Sequence, residues 1–351
     1  MRRASRRRIA VVLACLALVA GACSGGDDSA DDTTTTTATT APTTTAPPVP
    51  VPVFPLTGVP TEGSGNAGRP AIVVKLDNVE PKARRQAGIN QADVVYEERV
   101  EGSVTRLLCL FHSTDSTPVG PVRSARTSDI GLFTPLNRPY FAWSGANDNF
   151  AARIRQAAVI DAGYDRIPGE YLRDRGRPAP SNLMLKSTTA VGVIPPEGSG
   201  PPPSLFTFRT PTQAQAHLEP VAGVAVNYGF EAGAAPVEYR WDGAGWARTQ
   251  KGTAYVDAAG VQVAPANVIV QFVSYASSGV NDQFGKPIPE AQLVGEGEAW
   301  VLTAGGVVVG RWQKPALEAI TTYTDVDGNP IGLTPGRTWV ALPSAGGASR
   351  L

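Results

Sequence analysis

Cysteine is scarce in this chain of 351 residues: there are 3, and Cys15 and Cys23 both lie near the N-terminus. Cys109 is therefore alone in the body of the protein, where no intramolecular disulfide can form. Histidine is scarcer still. With only His112 and His217, a multi-histidine zinc site cannot be assembled, and no metal or cofactor is expected. The same shortage leaves no serine–histidine–aspartate arrangement and no histidine–cysteine transpeptidase motif. Charge of one sign is not in excess either, at 31 basic against 31 acidic residues. A balanced chain has no global field drawing it to nucleic acid, which is excluded as a partner. Apolar runs near the roughly 20 residues that span a bilayer are also missing.

What is present at the N-terminus is a shorter signal. Arg6, Arg7 and Arg8 precede an apolar segment from Ile9 to Ala20, and Leu18-Val19-Ala20-Gly21-Ala22 leads into Cys23. A basic start, a short apolar stretch and small residues before a cysteine make a secretory signal of the lipoprotein kind over residues 1–22. The Cys23 sulfur would then carry diacylglycerol, with palmitate-class acyl chains entering the lipid bilayer at about 0.8 kcal/mol per buried CH₂. Cleavage before Cys15 would leave too little apolar segment behind it. Ser5-Arg6-Arg7-Arg8-Ile9 also fits twin-arginine export, so the route stays open between that and the general secretory path. The protein is expected to work outside the cytoplasm, lipid-anchored to the cell membrane.

Residues 23–55 are Asp, Thr, Ala and Pro with hardly a large apolar side chain, too little to offset ordering entropy. They predict a disordered tether with ends about 30 Å apart. The rest predicts an α+β fold in two parts. A mixed α+β N-terminal domain over 56–195 is followed by a Pro/Gly linker at 196–204, then a mainly antiparallel β domain over 205–345.

In the first part, 71–77, 94–100 and 105–111 read as strands, with Gly102-Ser103 as a hairpin turn. Ser128 to Leu136 predicts a short helix capped by Thr127 or Ser128. Asn147-Asp148-Asn149 opens a second helix, with Phe150, Ile154, Ala157 and Ala158 on its apolar stripe. In the second part, 223–228, 237–241, 268–273, 299–302, 306–312 and 338–342 are short β-branched or aromatic segments. Turns at Asp242-Gly243, Gly305-Gly306 and Asp327-Gly328-Asn329-Pro330 separate several of them.

Several of these pieces resemble the YerB-like lipoproteins. They are Ala92-Asp93-Val94-Val95-Tyr96-Glu97-Glu98, Glu101-Gly102-Ser103-Val104-Thr105-Arg106 and Gly120-Pro121-Val122-Arg123-Ser124-Ala125-Arg126, with Gly310-Arg311-Trp312 and Leu333-Thr334-Pro335-Gly336-Arg337-Thr338-Trp339-Val340 further on. The resemblance covers nearly all of the body. It implies a domain of unknown function in two parts behind a lipoprotein signal, and carries no reaction or cofactor.

Arg123, Ser124 and Arg126 form the leading candidate site, together with Glu97, Glu101 and Arg106. Guanidinium forks beside a helix start suit a phosphate or carboxylate. The competing reading has Arg123 and Arg126 pairing internally with Glu97, Glu101 or Asp129. Within β-strand 94–100, Glu97 and Glu98 point to opposite faces. A carboxylate pair among Asp77, Glu97, Glu98 and Glu101 is the basis of an alternative, a cell-wall hydrolase. Tyr239, Trp241, Trp246 and Tyr255 could stack on wall glycan or form core, and Cys109 sits in a core-like apolar run. The sequence thus points to a non-enzymatic binding or scaffolding protein for an anionic envelope ligand, a cell-wall glycan or an envelope protein.

Overall fold

Burial of strands on both faces decides the architecture. A strand with one wet face alternates polar and apolar residues, whereas a strand covered on both faces need not. In the computed structural model, Ile72–Asp77 (β1) is buried at every position, as are Asn267–Gln271 and Thr338–Leu342. Val94–Val100 (β2) and Val104–Phe111 (β3) are buried at all but one residue each. The structure describes residues 51–102, 104–210, 212–229 and 236–351. The expected signal, Cys23 and the tether as far as residue 50 lie outside the described residues.

These buried strands form the middle of an eleven-stranded mixed sheet. Its order is Thr322–Thr324, Gly306–Lys314, Gly295–Thr303, Asn267–Gln271, Thr338–Leu342, β2, β3, β1, Tyr140–Ala142 (β4) and Ile160–Asp161 (β5), and Glu219–Pro220 pairs beside Gly306–Lys314. Segments on both sides of the Pro/Gly stretch therefore share one sheet. The seam is parallel, with Val94 opposite Thr338 and Glu98 opposite Leu342. β2 and β3 pair antiparallel, as their hairpin spacing predicts.

One face of this sheet is covered by helices Ser128–Phe133 (α1) and Asp148–Gln156 (α2), around Leu108, Leu110, Phe133, Phe141 and Ile154. The other packs against a five-stranded antiparallel sheet through Leu107, Cys109, Tyr239, Trp246 and Trp339. The α+β class follows, as a helix layer, a mixed sheet and an antiparallel sheet. Among the described residues no helix is long and apolar enough to cross a membrane.

Local details depart from the sequence pattern in instructive ways. Asn147 caps α2, accepting from the Asn149 amide, but the helix stops at Gln156 and leaves Ala158 exposed. At α1 neither Thr127 nor Ser128 supplies a cap bond. The Asp129 carboxylate accepts from the Arg126 amide at 2.7 Å instead, and Ser128 Oγ accepts from the Ala291 amide. Phe54 and Leu56 are buried, so the folded body begins inside the segment expected as tether. At the other end Ala348–Arg350 pairs with Gly223–Val226 beyond residue 345. That strand carries no large apolar residue, so periodicity could not reveal it.

Candidate functional site

The end of the β1–β3 sheet that faces the helices gathers an unusual density of charge. Alternation along the strands is the cause: Lys75 and Asp77 on β1, Glu98 on β2 and Arg106 on β3 all point to this side. The loop carrying Arg123, Ser124 and Arg126 is laid against it by backbone bonds from Arg123 N to Lys75 O at 2.8 Å and from Asp77 N to Pro121 O at 2.9 Å.

Glu101, in the β2–β3 turn, is the anionic centre of the outer part. Arg126 grips it through two nitrogens, with Nε at 2.8 Å from Oε2, and Arg106 Nη2 lies 3.3 Å from Oε1. Arg106 also donates to the Ser124 carbonyl at 2.8 Å. Arg123 sits at the rim with its Nε 3.1 Å from Asp77 Oδ2. Its side chain is 25% exposed, against 7% for Arg126, which makes it the accessible one of the two. No protein bond to its terminal nitrogens is found among the described residues. Three guanidiniums thus share two carboxylates. Burial first, and then the charge of Arg126, lower the Arg106 pKa to about 10.

Burial alone would raise the Glu101 pKa, but the hydrogen bonds and charge of Arg126, joined by Arg106, outweigh it and hold it at about 2. A carboxylate depressed in the folded state contributes stability above its ordinary pKa of 4.5 and loses that contribution as pH falls toward the folded value. Glu101→Gln is therefore expected to remove part of the acid-induced loss of stability between those limits. Chemical denaturation at stepped pH would show it; identical acid slopes for parent and variant would contradict the pairing.

Beneath this layer Lys75 is fully buried, with Nζ 2.5 Å from Glu98 Oε1 and 2.6 Å from Asp129 Oδ1. Neither Lys75 nor this triad was among the residues singled out from sequence. A lysine between Ile72-Val73-Val74 and Leu76 in a strand was the available signal.

Of the predicted site residues, Arg106, Arg123, Ser124, Arg126 and Glu101 come together, whereas Glu97 does not join them. It points to the opposite face of β2, where Arg248 Nη2 lies 3.1 Å from Oε1. Asn78, Thr105, Tyr239 and Trp339 also donate to it. Glu97 and Glu98 are fully buried on opposite faces, so they cannot flank one substrate bond. Tyr239, Trp246 and Tyr255 are buried and Trp241 is half-buried, which places the first three in core and not on a glycan-stacking face. Burial pushes the Cys109 thiol up, and burial with the Arg69 charge holds His112 at about 4, so neither forms a reactive ion pair.

Beside the arginines, Thr127 reaches a depression of about 460 Å³ that also takes in Ile130, Arg153, Glu290 and Leu293. Arg153 Nη2 lies 3.3 Å from Glu290 Oε1 along it.

Two family models match the chain, described as the N-terminal and C-terminal domains of "Protein of unknown function (DUF3048)", over residues 56–197 and 224–340. The Bacillus subtilis (strain 168) protein named "Putative lipoprotein YerB" is 29% identical over 300 residues, covering 82% of this chain and 85% of its own length. The crystal structure of the Bacillus subtilis YerB protein superposes with a TM-score of 0.72 at 25% identity, across 85% of this chain and 99% of that one.

Proposed function

The chain belongs to the DUF3048 family of YerB-like proteins, and from that premise we propose a membrane-anchored extracytoplasmic lipoprotein whose arginine junction binds an anionic group of the cell envelope. The named relative supports the lipoprotein part. The N-terminal sequence supports the anchor, because Ala20-Gly21-Ala22-Cys23 presents small residues ahead of the thiol to be acylated. The anionic group would sit on a wall polymer or on an acidic envelope protein.

One observation carries the binding part: Arg123, at the rim of the cluster, is partly exposed and its terminal nitrogens have no protein hydrogen bond among the described residues. A guanidinium fork in that position takes a phosphate or carboxylate in bidentate fashion. Arg126 and Arg106 contribute field from behind, since their own forks are occupied by Glu101 and the Ser124 carbonyl.

Inorganic phosphate is the simplest probe. Its addition should raise the thermal midpoint of the full chain in detergent, and Arg123→Gln should weaken that response about tenfold or more, the loss of one charge-assisted contact. Stability without phosphate should fall by about 1–3 kcal/mol, because the buried Asp77 carboxylate keeps only Ser181 and the Val79 amide as donors among the described residues. A rise that is equal in the two proteins, or absent from both, would remove the anion site. Separately, Cys23→Ser should move the protein from the membrane fraction to the soluble extracytoplasmic fraction. Retention in the membrane would mean that another element anchors it.

A further inference from the structure

We propose that His217, Asp325 and Asp327 form a binding site for a divalent transition-metal ion of the zinc class. The site is remote in sequence from the arginine junction. Asp325 and Asp327 lie in the turn that follows strand Thr322–Thr324, and His217 lies in the connection leading to Glu219–Pro220. One ligand atom from each of the three falls within 4.8 Å of the others. Ligand atoms about 2.0–2.2 Å from a central Zn²⁺ are at most ~4.4 Å apart, so small rotations of the exposed His217 and Asp327 side chains would close the shell.

The second observation is an orphaned oxygen. Asp325 is 3% exposed, and its Oδ1 accepts from the Asp327 amide at 3.0 Å and the Asn329 amide at 2.9 Å, which fixes the turn. Its Oδ2 is buried with no hydrogen-bond partner among the described residues. A buried anionic oxygen without a donor is costly, and a cation offsets that cost directly. His217 stands beside the two aspartates, with Nε2 2.7 Å from Asp327 Oδ2, on a backbone at φ 55 in the left-handed region.

The donor set selects the ion. One imidazole nitrogen and two carboxylates neutralise a dication and suit zinc or its transition-metal neighbours, whereas Ca²⁺ prefers 6–8 oxygens. Three protein ligands leave room for water in the shell. Scarcity of histidine excludes a site built on several imidazoles, but not one that uses a single imidazole with two carboxylates. Bound metal would clamp the His217 connection onto the turn.

The test is calorimetric titration of Zn²⁺, and of Ca²⁺ for comparison, into the tag-free full chain in detergent after EDTA treatment. One saturable Zn²⁺ per chain is expected, with Ca²⁺ at least tenfold weaker. H217Q and D327N change exposed side chains and should keep the fold, checked by circular dichroism, while each weakens Zn²⁺ at least tenfold. D325N, which retains the Oδ1 acceptor, should do the same. No saturable Zn²⁺ binding at 1 mM, affinity unchanged in H217Q and D327N, or tighter binding of Ca²⁺ than Zn²⁺ would each overturn the proposal.

Discussion

Arg248→Met is expected to destabilise the protein by about 3–5 kcal/mol, the range for removing one partner of a buried ion pair. Arg248 is fully buried in strand Trp246–Gln250 of the five-stranded sheet, and its guanidinium carbon lies 3.8 Å from the Tyr255 ring centroid and 4.9 Å from that of Trp339. Burial alone would lower its pKa, but the Glu97 charge and the surrounding phenols outweigh that, and it is held above its ordinary value. Methionine would fill much of the space while leaving the Glu97 carboxylate in a dry interior with only neutral donors. The loss therefore comes from an abandoned anion, not from a cavity. Glu97→Gln in the Arg248→Met background should recover a substantial part of it, and urea denaturation of the two proteins would measure the difference. If Arg248→Met alone cost less than about 1 kcal/mol, the pair would resemble an exposed one energetically.

This pair also shows where the sequence stops being readable. The individual strands were legible because burial on both faces leaves apolar runs such as Leu107–Phe111, and the second helix because Asn147 is a strong cap. The class followed from them. Partnership was not legible: nothing in Val94–Val100 or Thr338–Leu342 encodes that they pair parallel across the Pro/Gly stretch. Strand pairing at that separation is settled by the whole core. Alternation did put Glu97 and Glu98 on opposite faces, yet it could not tell that both faces are interior. A single sheet face in water would have made one of them ordinary, and the Glu97 assignment to the arginine site rested on that picture. Arg248 follows the same rule, since Trp246, Arg248 and Gln250 share a face and the flanking aromatic is the only local hint that the face is buried.

Lys75→Met should be the most damaging substitution on the helix side of the sheet, again by about 3–5 kcal/mol or more at neutral pH. The lysine serves two carboxylates, Glu98 and Asp129, and all three are shut off from water. Burial already raises the Glu98 pKa, with Lys75 opposing the rise and Asp129 adding to it. Removing the lysine deletes the opposing influence, so a proton is the cheapest remaining counter-charge. The sign of the pH response follows. A carboxylate whose pKa is higher in the folded state favours folding when protonated, and that contribution disappears as pH rises above its unfolded value. The deficit of Lys75→Met against the parent should therefore shrink as pH falls from 7 toward about 5. Glu98→Gln in the same background should mimic the proton and flatten the dependence. Arginine at position 75 should not restore stability, because a planar fork does not fit a space shaped for one ammonium between two oxygens. A deficit that stayed constant across this pH range would mean that the lysine acts through its packing and not through its charge.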